Sequence, residues 1–129
     1  MKSLFSWVKR LSKIFEKRPL RILLLLSFFI CILSAAIPIG FLLPEIRLEG
    51  SIPLHYNIYF GVDWYGAWWN IFFMPIIGAV ILLVNTVITM IYGVKDAVLI
   101  HMLWVNTLLC EFILLIAIIF TTLLNLTYI

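Results

Sequence analysis

From Ile22 to Leu43 the chain carries no charged residue, and the stretches 64–94 and 97–120 repeat this with the single exception of Glu111. A helix rises about 1.5 Å per residue, so about 20 apolar residues cross a hydrocarbon core of about 30 Å. The pattern predicts an all-α integral membrane protein with three transmembrane helices, at 22–43, 68–92 and 97–120. Between them lie a short structured extracytoplasmic loop, 44–67, and a cytoplasmic turn, 93–96. Residues 121–129 are expected to form an extracytoplasmic tail, because Thr121, Thr122, Asn125, Thr127 and Tyr128 restore polarity there. Only 12% of the 129 residues are charged and 65% are hydrophobic, where soluble domains are about half apolar. The whole chain is therefore read as one membrane domain.

Charge sets the orientation. Seven of the nine Lys and Arg fall within residues 1–21, and basic residues beside a span stay in the cytoplasm. The N-terminus is thus expected inside and the C-terminus outside, in a multi-pass protein of the cell membrane. A cleaved signal peptide ending near Ser34-Ala35-Ala36 is the rival reading, but the apolar run continues through Leu43. Within residues 1–18, Leu4, Trp7, Val8, Leu11, Ile14 and Phe15 recur at helical spacing, while Lys2, Lys9, Arg10, Lys13 and Lys17 lie largely elsewhere. This predicts an interfacial amphipathic helix resting on anionic lipid at the cytoplasmic face, or docking a cytoplasmic partner, and ending before Pro19. The basic block beside a hydrocarbon anchor favours lipid over nucleic acid. Trp64, Trp68 and Trp69 are expected to anchor the second span at the opposite interface, as Trp7 does at the cytoplasmic one.

Polar residues inside apolar runs are the candidate functional positions. Glu111 has no cation near it in sequence, so it must be uncharged, paired or facing a polar cavity. It shares a face with Trp104 and Thr107. Ser27, Cys31, Ser34 and Pro38 form one stripe of the first span. Pro38 cannot donate to the Ser34 carbonyl, and depth counting brings Glu111 near that position. Glu111 is therefore expected to donate to Ser34, or to act between subunits. Asn85 and Asn106 lie at equal distances from the 93–96 turn and are expected to bridge the second and third spans, as structural glue or a ligand site. The second span carries a stripe of Pro75, Gly78, Leu82, Asn85 and Thr89. His101 is read as an interfacial headgroup contact. Cys31 and Cys110 sit in apolar runs and suggest neither a disulfide framework nor a metal motif. No nucleophile–base set, phosphate-binding glycine loop or metal-ligand cluster is present, so no catalytic residue, cofactor or metal is assigned and an enzyme is not expected.

In the loop, Pro53, His55, Tyr56 and Asn57 precede Gly61, Asp63 and Gly66, and Pro75 follows. Asn57 and Asp63 can cap turns, the glycines admit positive φ, and short strands are expected around Leu54–Phe60. His55 and Asp63 can pair with each other or hold a ligand, but two metal ligands do not make a site. Over residues 52–75 this loop resembles the short motif of a bacterial membrane family that includes toxin-immunity proteins. Val62 and Ala67-Trp68 depart from that pattern, and members of the family commonly have more helices. The resemblance implies envelope signalling or toxin immunity. The residues themselves point to a non-enzymatic protein acting through helix–helix contacts, as a homo-oligomer or with a membrane-protein partner. A small transport or channel subunit using Glu111 in an oligomer is the alternative.

Overall fold

The computed structural model describes residues 16–46, 50–92 and 97–128. The amphipathic segment with Trp7 and the 93–96 turn lie outside the described residues. In chain order come α1 (Arg18–Ile37), a π-helical turn (Pro38–Leu42), β1 (Ser51–Asn57), β2 (Gly61–Ala67), a 3₁₀ turn (Trp68–Phe72), α2 (Phe73–Tyr92) and α3 (Ala97–Tyr128). Three helices, Arg18–Leu42, Trp68–Tyr92 and Val98–Tyr128, are long and apolar enough to cross a membrane. The chain is mostly helical but not all-α, because the loop is a two-stranded hairpin.

Pro19 sits in the first turn of α1, where a missing N–H costs nothing and its fixed φ suits the helix. At the other end Pro38 breaks the ladder. The chain answers with a wider turn, in which the Leu43 N–H donates to the Pro38 carbonyl at 3.0 Å. The side chain of Ser34 donates to the Cys31 carbonyl at 2.8 Å.

Residues 121–128 correct the expectation of a polar tail, since α3 runs unbroken through Tyr128. The hydroxyls of Thr121 and Thr127 donate back to the carbonyls of Ala117 and Leu123, each at 2.9 Å. Those two hydroxyls are thus satisfied inside the helix, and polarity there does not end it, although the buried Thr122 hydroxyl and Asn125 Oδ1 make no hydrogen bond. Asn125 does more. Its Nδ2 donates to both the Thr121 and the Pro53 carbonyls at 2.7 Å, pinning β1 against the end of α3.

The hairpin is antiparallel, with Asn57 opposite Gly61 and a three-residue connection, Ile58 to Phe60. Gly61 holds φ at 76°, the left-handed conformation that closes such a loop. The Asn57 side chain accepts from the Tyr59 N–H at 2.9 Å and shapes the turn. Irregular register around His55 re-aims side chains as bulges do, and His55 meets Asp63. Gly66 lies where a Cβ would run into the Leu54 side chain.

The burial pattern is inverted relative to a water-soluble protein. Ile22, Phe28, Phe29, Phe41, Leu83, Met102 and Ile113 are exposed, whereas Ser27, Ser34, Asn85, Thr89, Thr107, Glu111 and Asn125 are buried. Water does not tolerate so much contiguous apolar surface, and hydrocarbon does. Two apolar clusters complete the interior. One, at the hairpin end, gathers Ile30, Leu42, Ile52, Ile71, Leu115 and Ile118. The other, near the start of α1, gathers Leu20, Ile100 and Trp104.

Candidate functional site: a polar seam along the third helix

The α3 face expected from helical spacing is the buried one. Trp104, Thr107 and Glu111 are all at most 1% exposed. Opposite it, α2 buries Pro75, Gly78, Asn85 and Thr89, the stripe read from the sequence, with Leu82 packed at its edge. Asn85 Nδ2 donates to Thr107 Oγ1 at 2.6 Å, and that hydroxyl donates to the Leu103 carbonyl at 2.9 Å. One turn away, Trp104 Nε1 donates to Thr89 Oγ1 at 3.2 Å, and Thr89 passes its own proton to the Asn85 carbonyl at 2.7 Å. The α2–α3 contact is therefore a closed chain of donors and acceptors.

Asn106 does not join it. The side chain is exposed, while its neighbour Thr107 is buried, so the expected Asn85–Asn106 bridge is replaced by Asn85–Thr107. Equal distance from the turn fixes depth, but one residue along a helix rotates the side chain by about 100°. Depth was matched to within one residue, and azimuth was missed.

The α1–α3 contact is different. Glu111 faces Ser27 and Cys31 of α1, near enough to interact with both. Yet neither carboxylate oxygen of Glu111, nor the Ser27 hydroxyl, completes a hydrogen bond. The expected donation to Ser34 is not made. Ser34 is buried and its hydroxyl donates to the Cys31 carbonyl, but no hydrogen bond joins it to Glu111. The contact falls nearer the start of α1 because Leu20 packs beside Ile100 and Trp104, sliding α1 along α3 relative to a count from the helix ends. On the far side of Cys31 a shallow apolar groove between α1 and α2 is lined by Ile32, Ala35, Phe72, Pro75 and Ala79.

At the hairpin, His55 Nδ1 and Asp63 Oδ1 are 2.6 Å apart in an exposed pair. Pro53 lends its carbonyl to Asn125. Asn57, Gly61 and Gly66 serve the turn and the packing described above. Among the described residues no group of three His, Cys, Asp or Glu side chains is placed to hold a metal ion. Trp64 and Trp69 are exposed, and Trp68 makes edge contacts with Trp69 and Phe72. The sequence reading missed Asn125 as a clamp and Ser27 as the neighbour of Glu111. The first sat in an assumed tail, and the second was signalled only by its place in the Ser27–Pro38 stripe.

No protein-family model, curated protein or solved structure matches the chain.

Proposed function

We propose that this chain is a multi-pass protein of the cell membrane, N-terminus inside, and that it acts without catalysis through lateral helix–helix contact with itself or a membrane partner. Asn106 carries the reading. It lies about a third of the way along α3, exposed among exposed Met102, Val105 and Leu109, and none of the hydrogen bonds among the described residues uses its side chain. An amide facing hydrocarbon with no partner is unfavourable. An interhelical partner relieves it by about 0.6–2 kcal/mol. Because an amide both donates and accepts, two copies of Asn106 satisfy one another across a two-fold axis.

The basic N-terminal block and the opposed Trp cluster support the orientation, and the loop's resemblance supports envelope protection or signalling as the process served. The decisive experiment is disulfide or chemical crosslinking in native membranes, with wild type and Asn106→Leu side by side. The expected result is a crosslinked species that Asn106→Leu abolishes while the protein still accumulates in the membrane. A wild type that is monomeric and partnerless in native membranes removes the reading.

A second reading, a small transport or channel subunit, is favoured by the unsatisfied Glu111–Ser27 pair. Ion flux in proteoliposomes separates the two. Flux lost in Glu111→Gln, with assembly intact, selects transport.

A further inference from the structure

The three most exposed large hydrophobic side chains among the described residues are not on the spans. They are Ile58, Tyr59 and Phe60, at 81%, 86% and 83% exposure, at the tip of the hairpin. We infer that this tip is an interfacial anchor, seated in the headgroup layer of the same bilayer that holds the helices. The inference rests on the membrane placement proposed above.

The level of the hairpin follows from contacts. Asn85 bonds Thr107, Thr89 bonds Trp104, and Gly78 faces Leu114. Residues of α2 and α3 whose numbers add to about 192 therefore share a depth. The Trp69 anchor lies at the level of about Leu123 by that rule. Leu54, His55 and Tyr56 line a cleft of about 550 Å³ together with Met74, Phe120 and Thr127, so β1 lies alongside α3 at the anchor level and does not stand off the bundle. Tyr59 is three residues beyond Tyr56, and three extended residues reach at most about 11 Å. The two headgroup layers add about 10–15 Å in total to the hydrocarbon core. A turn lying along the membrane surface keeps the tip inside that layer, about 5–7 Å deep on each side, whereas one pointing straight out would carry it past the layer.

The chemistry of the ribbon fits that layer. No Lys, Arg, Asp or Glu occurs between Glu49 and Asp63. The ribbon and the turn after it also expose Tyr56, Trp64, Tyr65 and Trp69. Trp and Tyr prefer the boundary where a ring is half buried and its polar edge meets headgroups. A two-stranded ribbon is barely stable alone. Asn125 and Ile52 hold one end of this one, and seating the tip in lipid holds the other.

The test uses the full chain in phosphatidylcholine–phosphatidylglycerol vesicles, with Tyr59→Cys carrying an environment-sensitive fluorophore on a Cys31→Ala, Cys110→Ala background. Carbonate extraction first asks whether the chain stays with the vesicles. The expected emission is blue-shifted, quenched by lipids nitroxide-labelled near the headgroup, and several-fold less sensitive to iodide than the free fluorophore. A second label at Ile58→Cys, on the same background, should give the same pattern. A chain that resists carbonate but shows iodide-accessible labels with no lipid quenching overturns the tip inference alone. Labels shielded from iodide and lipid alike overturn it in favour of a protein contact. A chain released by carbonate overturns the membrane placement, and the inference with it.

Discussion

The two contacts that α3 makes with its neighbours are built on opposite principles. Against α2, every polar atom of the Asn85–Thr107 and Thr89–Trp104 pairs that faces the partner helix has somewhere to go. Against α1, the same helix presents Glu111 to Ser27 and completes nothing. In a medium without water a satisfied polar chain sets register and rotation, because any slip strands several groups at once. An unsatisfied carboxyl contributes no such registration and costs stability where it stands. The α2–α3 contact therefore reads as scaffold. The α1–α3 contact buries a carboxyl and a hydroxyl without a hydrogen-bond partner.

That contrast can be broken at its strongest point first. Trp104 is fully buried, packs on Leu20 of α1, and donates to Thr89 of α2, so it ties the three helices together. Trp104→Ala should cost about 3 kcal/mol through the cavity and the lost donor. Trp104→Phe should recover most of the packing but not the hydrogen bond. Denaturant titration in detergent reads both. Equal losses in the two variants would mean that the indole N–H, and not the volume, holds the site.

The next pair of substitutions should differ in sign. Asn85→Leu removes the interhelical donor to Thr107 Oγ1 and should destabilise by about 0.6–2 kcal/mol. Glu111→Leu removes a buried group that no hydrogen bond repays, and should stabilise by about 1–3 kcal/mol, the usual penalty of an unsatisfied buried polar atom. Glu111→Gln, which retains the shape and the polarity, should change stability little. If Glu111→Leu destabilises as much as Asn85→Leu, the carboxyl is satisfied in the membrane and the proposed contrast between the two contacts collapses.

How far the sequence announced these contacts depends on which coordinate is asked for. Depth was legible: helix length, the prolines and distance from the 93–96 turn brought Asn85 within one residue of its partner. Faces were legible where a stripe of several residues defined them, as for Pro75, Gly78, Asn85 and Thr89, or Trp104, Thr107 and Glu111. A single residue such as Asn106 could not be assigned a face, because rotation is set by packing against neighbours and not by count. The slide of α1 along α3 was equally invisible, since it depends on how Leu20 fits beside Trp104. The helical end of α3 was hidden for another reason. Thr121, Asn125 and Thr127 donate to carbonyls of the preceding turn, so residues that punctuate a helix in water extend one here. In the hairpin, Asn57, Asp63 and the glycines signalled a turn, but the strands, Ser51–Asn57 and Gly61–Ala67, reach further than the expected Leu54–Phe60.

The smallest effect is expected at the hairpin, where His55 and Asp63 form a pair open to solvent. Exposed pairs contribute between about 0 and 1 kcal/mol, because water screens them and ordering two side chains costs entropy. His55→Ala and Asp63→Ala should each shift the melting temperature in detergent only slightly, and the double variant should lose no more than the larger single loss. The bulged register that brings the two together is held by the backbone and by Asn125, so it should survive their removal. The alternative is a metal site, for which these two groups supply two ligands and the described residues supply no third. Metal analysis of the purified chain decides between the two. Without bound metal, the pair is a modest clasp on a ribbon whose main supports are Asn125 below and, by the inference above, lipid at the tip. One equivalent of zinc that disappears in His55→Ala would show instead that a further ligand, from outside the described residues or from a second chain, completes the site, and would move the functional centre from the bundle to the hairpin.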